Sequence, residues 1–409
     1  MSSPIDPLPL PRKRECPFGP APEIAGLQRD SPVTKVLCPT GIEAWLVTRY
    51  ADVREVLSDH ERFSARSGQC GHLLANQPPD APITEGDFAR LDGAEHLRFR
   101  RVMAPAVTSV KRMERLSPAV RRIVDDALDA LATETGTVDL HARFSIPVVT
   151  SVMTELFDIP HQDRDLFRTR SEALLNGRGD AESLQAATIP LYMLLQELVT
   201  RRTEEPGEDL ISVVAASARA AGDPFTSLEL TKIAAGLVFS GYDTTSTALT
   251  YGMAALLETP GQLAILREDT GAASNAAEEV IRMLAVGGGL LRVAAVDTEL
   301  AGTPIAAGDY VVAAVQAANR DPARFPHPDR LDVRRPHGGH VGFGHGQHQC
   351  SGRHIVRLVL TSALATLARR IPSLRLAVPI AEVEFKKDTA VFGPAELPVT
   401  WDEGAVRPR

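Results

Sequence analysis

"VGFGHGQHQCSG", Val341 to Gly352, sets one cysteine among four glycines and two histidines, just before an apolar segment. That segment, Ser351 to Ile371, carries Leu, Ile, Val and Ala at helical spacing, so Cys350 falls at a helix start. Free N–H groups and the helix dipole favour a thiolate there. Gly342, Gly344 and Gly346 permit turns and the close approach of a flat group. Gly352 leaves the near face of the first helical turn bare. The stretch admits three readings: a buried structural cysteine, a metal knuckle, or a loop presenting one thiolate to a larger cofactor. The knuckle would use His345, His348, Cys350 and His354. Four such donors suit zinc, but their spacing is not that of a standard knuckle.

The rest of the chain narrows the choice. Of 409 residues, 44% are hydrophobic and 23% charged, as in a soluble globular enzyme. The net charge of −8 argues against nucleic acid as a partner. The four cysteines (Cys16, Cys38, Cys70 and Cys350) form no C-x-x-C pair, so neither a disulfide framework nor a zinc ribbon is expected. The Pro-rich start, residues 1–20, lacks an apolar core, so neither signal peptide nor anchor is expected. The longest apolar stretch, Leu228 to Leu257, is interrupted by Lys232 and Asp243 and reads as a buried helix. A cytoplasmic protein with no membrane association follows as the expectation.

"EAWLVTRY" (Glu43–Tyr50) reads as a strand and "ADVREVLSD" as the helix after it. Residues 65–92 form a long Gly- and Pro-rich loop, a kind that is often functional. Helical patterns dominate from Glu95 to about Leu284. Thr226-x-x-Glu229 is a capping box opening a helix of roughly 30 residues that ends near Pro260. "LLRVAAVD", "TELAGTPIAAG" and "DYVVAAVQAAN" read as short strands, with a hairpin at "AGTPIAAGD". The pattern predicts a mainly α protein with small β-sheets (α+β). It forms one domain, residues 21–409, behind the lead-in of residues 1–20.

Further segments bear on chemistry. "SGYDTTST", Ser240 to Thr247, puts poor helix formers in the middle of the long helix. Threonine hydroxyls there can bond back to carbonyls and bend the helix, opening a groove beside Asp243 and Thr244. Glu279 and Arg282 lie three apart, which alone marks only a surface pair. His96 and Arg100 share a helical face and suit a carboxylate or phosphate, or form an ordinary solvated basic face.

Together these motifs, in this chain order, resemble the cytochrome P450 family. Phe343-Gly344-x-Gly346-x-His348-x-Cys350-x-Gly352 is similar to its cysteine-ligand loop, Gly241-x-Asp243-Thr244-Thr245 to its oxygen-activating helix, and Glu279-x-x-Arg282 to its structural pair. The resemblance runs from about residue 20 to the end. It implies a triangular-prism fold, with haem b between the long central helix and the cysteine helix. It makes Cys350 the axial ligand of the haem iron, where thiolate donation favours O–O cleavage. His96, Arg100, Arg292 and His348 would meet the propionates. Phe343, Gly344, Gly241 and Gly352 would lie around the haem. Asp243 and Thr244 would relay protons as O2 is activated. Glu279, Arg282 and Arg335 would form a buried structural triad.

The implied activity is monooxygenation, hydroxylation or epoxidation, of a small molecule in secondary metabolism, such as a macrolide, polyketide or peptide. No flavin or iron–sulfur segment is present. Electrons from NAD(P)H would therefore arrive through ferredoxin reductase and ferredoxin, docking on Arg101, Lys111, Arg112, Arg353 and Arg357 of a monomer. Two departures stand out: Ser240 replaces the usual alanine, and Gly287, Gly288 and Gly289 strip side chains from a wall beside the haem. The second predicts room for a large substrate. The walls would include the 65–92 loop, residues 167–195, and Val238, Gly288, Leu290, Leu291, Val391 and Phe392. A zinc- or haem-binding module or sensor without turnover, and a peroxide-driven enzyme, are the alternatives. The intact Asp-Thr pair speaks against the last.

Overall fold

The computed structural model describes residues 6–8, 17–66, 82–176, 181–287, 289–336, 338–386, 391–402, 404 and 406–409. Cys16, Cys70, Gly288 and most of the 65–92 loop lie outside the described residues.

Helices dominate. The longest, Ser227–Leu257, spans 31 residues and is the central helix of the main core. Its capping box forms as the sequence predicts: the Glu229 N–H donates to Thr226 Oγ1, and the Thr226 N–H donates to Glu229 Oε2. It is packed by the cysteine helix (Arg353–Arg370), the Glu-Arg helix (Ala272–Leu284) and Ala181–Glu204. The helix runs uninterrupted through "SGYDTTST", and the expected bonds back to carbonyls form. Hydroxyls of Ser240, Thr244, Ser246 and Thr250 each donate to the carbonyl four residues back. Their polar groups are thereby satisfied inside a continuous helix. The π-helical turn lies elsewhere, at His141–Ser145.

A five-stranded sheet runs in the order Val33–Leu37, Glu43–Val47, Tyr310–Ala313, Leu290–Ala294, Phe63–Ser64. Its Glu43–Val47 and Tyr310–Ala313 pair is parallel and the others antiparallel. The predicted hairpin forms between Thr298–Leu300 and Thr303–Ile305, turning at Ala301 and Gly302, both at positive φ. "DYVVAAVQAAN" is strand only through Ala313, and Val315–Ala318 is a helical turn. An apolar run that short has no period to separate the two states. Period two along Leu290–Ala294 decides what faces where. Leu290 joins the cluster with Val311 and Ala313, and Leu291 faces the opposite cluster with Leu46 and Val312.

Candidate active site

Cys350 lies between a 3-10 turn, Gly346–His348, and the cysteine helix, whose first residue is Arg353. Its N–H donates to the Phe343 carbonyl at 2.8 Å. Gly344 and Gly346 take φ of 71° and 70°, which glycine alone adopts freely. At Gly346 a Cβ would meet the Leu57 carbonyl oxygen at 2.4 Å, and at Gly342 one would meet the Ile281 carbonyl oxygen at 2.8 Å. These two glycines thus admit the chain's own backbone, not a ligand. At Gly352 a Cβ would have open space around it. Burial pushes the Cys350 thiol up, while the Gly352 N–H and the charges of Arg100, Arg353 and Arg357 pull it down. Burial outweighs the other contributions.

The zinc knuckle does not assemble. His345 Nε2 is held by Arg54, and His348 Nε2 lies 2.8 Å from Asp92 Oδ1. Among the described residues, no three His, Cys, Asp or Glu side chains converge as a metal site.

The loop and the first described turns of Gly93–Val107 are joined by a network the sequence did not suggest. Asp92 Oδ2 accepts from Ser64 Oγ at 2.6 Å and the Ala65 N–H at 3.0 Å. Its Oδ1 accepts from His348 and from Gln347 Nε2. Burial raises the Asp92 carboxyl, but these bonds outweigh it and hold it at about 2. Burial lowers His348 more than Asp92 lifts it. The His96 ring sits 4.1 Å from that of His348 and is buried. Its two nitrogens face the Phe88 and Gln347 carbonyls at 2.8 and 3.0 Å. Arg292 is buried, with Nη1 on the Leu291 carbonyl. Arg100 bonds to Ser351 Oγ beside the cysteine.

The central helix supplies the opposite wall. Leu237, Gly241 and Thr244 are half-buried and Ser240 exposed, while most of its surrounding turns are buried. Spaced three, four and seven apart, the four form one accessible stripe in the middle of a core helix. Thr244 Oγ1 donates to the Ser240 carbonyl at 2.6 Å. Asp243 is buried. Lys386 Nζ reaches its Oδ1 at 2.8 Å and Thr247 Oγ1 at 2.6 Å. At Gly241 a Cβ would press on the Met153 methyl at 2.7 Å.

The pocket residues divide. Val238 is fully buried in the core, off the accessible stripe, and Leu291 faces the far side of its strand. Phe392 stacks on Phe385 and meets Tyr251 edge-on, so its ring joins an aromatic cluster. Val391 bridges to Gly287, where a Cβ would meet nothing within 4 Å. Leu290 is half-buried, its Cδ1 3.5 Å from where a Gly344 Cβ would stand.

Glu279 is buried and binds Arg282 Nε at 2.7 Å and Arg335 Nε at 3.1 Å. Arg282 also donates to the Asn319 carbonyl, and Arg335 to the Pro326, His327 and Arg330 carbonyls. The surface pair expected from spacing alone is instead a buried tie between the Glu-Arg helix and the irregular segment after Ala318.

The sequence model of the cytochrome P450 family matches residues 191–372. Cytochrome P450-SU2 of Streptomyces griseolus is 37% identical over 404 residues, covering 98% of each chain. The chain belongs to the cytochrome P450 family. Mycinamicin IV hydroxylase/epoxidase of Micromonospora griseorubida is 37% identical, over 92% of this P450 and 94% of the relative. The crystal structure of CYP105P1 in complex with filipin I has a TM-score of 0.88 at 39% identity, covering 98% and 99% of the two chains. This P450 is therefore a haem- and O2-dependent monooxygenase, of the class that tailors secondary metabolites.

The residues present fit a haem. The Gly352 N–H and the positive charges of Arg100, Arg353 and Arg357 all act in favour of an anionic sulfur ligand. Arg100 and Arg292 bring positive charge for carboxylates. Open space at Gly287 and Gly352 leaves room for a flat group. Sequence reasoning missed Lys386, Asp92 and Ser64. Each lies far along the chain from the group it serves, and no spacing rule reaches them.

Proposed function

We propose that Cys350 holds the haem iron of this P450 and that Arg100 and Arg292 hold its propionates. His96 and His348 complete that side once a ring nitrogen is released from its present partner. When bound, the haem supplies the O2-activating and oxygen-transferring chemistry. The chain's own residues handle protons and access. Thr244 presents its hydroxyl on the accessible stripe, with its proton parked on the Ser240 carbonyl. Asp243 is the residue before it, and its carboxylate, paired with Lys386, stands beside the hydroxyl to pass on a proton. Glu279, Arg282 and Arg335 hold the fold beneath.

The substrate is proposed to be a large secondary metabolite, of the macrolide, polyketide or peptide kind. Relatives named as mycinamicin IV hydroxylase/epoxidase and pentalenic acid synthase support the metabolic setting, and the open space at Gly287 supports the size. Electrons would come from NAD(P)H through a ferredoxin reductase and an acidic ferredoxin, in the cytoplasm, to a monomer of one domain. Arg101 and Lys111 are exposed for docking. Arg357 is committed to Glu278, so it is withdrawn from that face. No described helix is long and apolar enough to cross a membrane.

The observation that carries the reading is Cys350, half-buried at a helix start where the Gly352 N–H and the charges of Arg100, Arg353 and Arg357 favour its anion. The test is the visible spectrum of the reduced protein with carbon monoxide. A strongly red-shifted thiolate band is expected, and Cys350→His should abolish it. Its absence from intact wild-type protein would rule the assignment out.

A further inference from the structure

Glu278 has no part in the roles assigned above. It precedes Glu279 on the Glu-Arg helix, and its side chain is nearly buried. Three donors converge on it: Arg357 Nε at 2.5 Å, Arg357 Nη2 at 3.1 Å and His340 Nε2 at 2.9 Å. The Gly342 N–H donates to His340 Nδ1 at 3.2 Å. Nδ1 thus accepts, and Nε2 is left to donate to Glu278. Burial raises the Glu278 carboxyl, but bonds from His340 and Arg357 prevail and hold it at about 2.

The cluster bears on Cys350 through Phe343. The Arg357 guanidinium lies 4.7 Å from the Phe343 ring centroid, a cation–π distance. The His340 ring lies 6.0 Å from the same ring. Phe343 in turn accepts the Cys350 N–H. One carboxylate thus fixes both groups that flank Phe343. It also balances one positive charge that acts on the sulfur: Arg357 is among the three arginines pulling on Cys350.

We propose that Glu278 is a positioning residue that sets the electron affinity of the haem, by neutralising Arg357 and pinning it against Phe343. This rests on Cys350 being the haem ligand. Outer groups around a metal ligand tune its potential through charge and hydrogen bonding. Without the carboxylate, Arg357 adds an unbalanced positive charge near the sulfur and favours the reduced state. Without the guanidinium, Glu278 adds a negative charge and disfavours it.

Redox titration of the haem-loaded protein tests this in wild type, Glu278→Gln, Arg357→Gln and the double variant. The expected result is a positive shift for the first variant, a negative shift for the second, and a double variant close to wild type. At a fixed poise the reduced fraction should change severalfold in opposite senses for the two singles. Each should keep the thiolate band with carbon monoxide. A purely structural tie gives a different pattern: singles that shift the same way or not at all, and a double at least as disturbed as the worse single. That result overturns the proposal. Should Glu278→Gln fail to hold haem, Arg357→Gln decides, because a null or positive shift rejects the idea. A wild type lacking the thiolate band removes the Cys350 assignment, and the proposal with it, before any variant is titrated.

Discussion

Lys386 reaches Asp243 across 143 positions of sequence, and the two make a largely buried ion pair. Thr247 Oγ1 shares both partners, at 3.2 Å from Asp243 and 2.6 Å from Lys386. Removing one member of a buried pair leaves a desolvated charge behind, typically at about 3–5 kcal/mol. Lys386→Met should therefore lower the unfolding free energy by about 3 kcal/mol. It should also divert electrons from product to peroxide, since the carboxylate loses the partner that holds it in place. Lys386→Arg should preserve most of both properties. Urea unfolding and the peroxide-to-product ratio read these out, and a Met variant matching wild type in both would dismiss the role. The nearby "SGYDTTST" shows what one residue's chemistry conveys. Its hydroxyls point to a special helix, and they do bond back to carbonyls, within a helix that stays continuous.

The cysteine loop is set by how elements approach one another. Gly346 packs against the carbonyl of Leu57, at the end of the helix Tyr50–Ser58, with a φ that disfavours any side chain. Gly346→Ala adds both backbone strain, roughly 1–3 kcal/mol, and a clash with main-chain oxygen that no rotamer relieves. Lower thermal stability and a smaller haem-retaining fraction are expected. Gly352→Ala, where a Cβ meets open space and φ is −81°, should fold nearly as wild type. Equal stability of the two variants would refute the close-approach reading. This loop was the most legible element. Its glycines, cysteine and following apolar period lie within one stretch, so local rules reach all of them. The Val315–Ala318 turn was not legible, because an Ala- and Val-rich run suits strand and helix alike, and packing made the choice.

At the scale of the molecule, two carboxylates fasten the loop to distant parts of the chain. Asp92 ties it to the strand Phe63–Ser64, and Glu278 ties the cysteine helix and His340 to the Glu-Arg helix. Both sit at about 2, below ordinary values of 3.8 and 4.5. A depressed carboxyl contributes stability above its unfolded-state value and loses it as pH falls through its folded-state value. The stability from both is thus present above about pH 4.5 and fades between there and about pH 2. Urea midpoints across that window should fall steeply for wild type and less steeply for Glu278→Gln. Parallel slopes would count against the link. None of these ties was readable beforehand, since neither residue belongs to a short motif.

The sequence by itself determined the family, the capping box and extent of the central helix, and the local setting of Cys350. Each depends on residues within a few turns of one another, where spacing is physics. The tertiary structure alone decided which backbone carbonyls Arg282 and Arg335 meet and which face of Leu290–Ala294 turns to which cluster. It also gave Asp243 its lysine and Glu278 its arginine. Those outcomes depend on which surfaces meet across hundreds of residues, and on the desolvation that follows when they do.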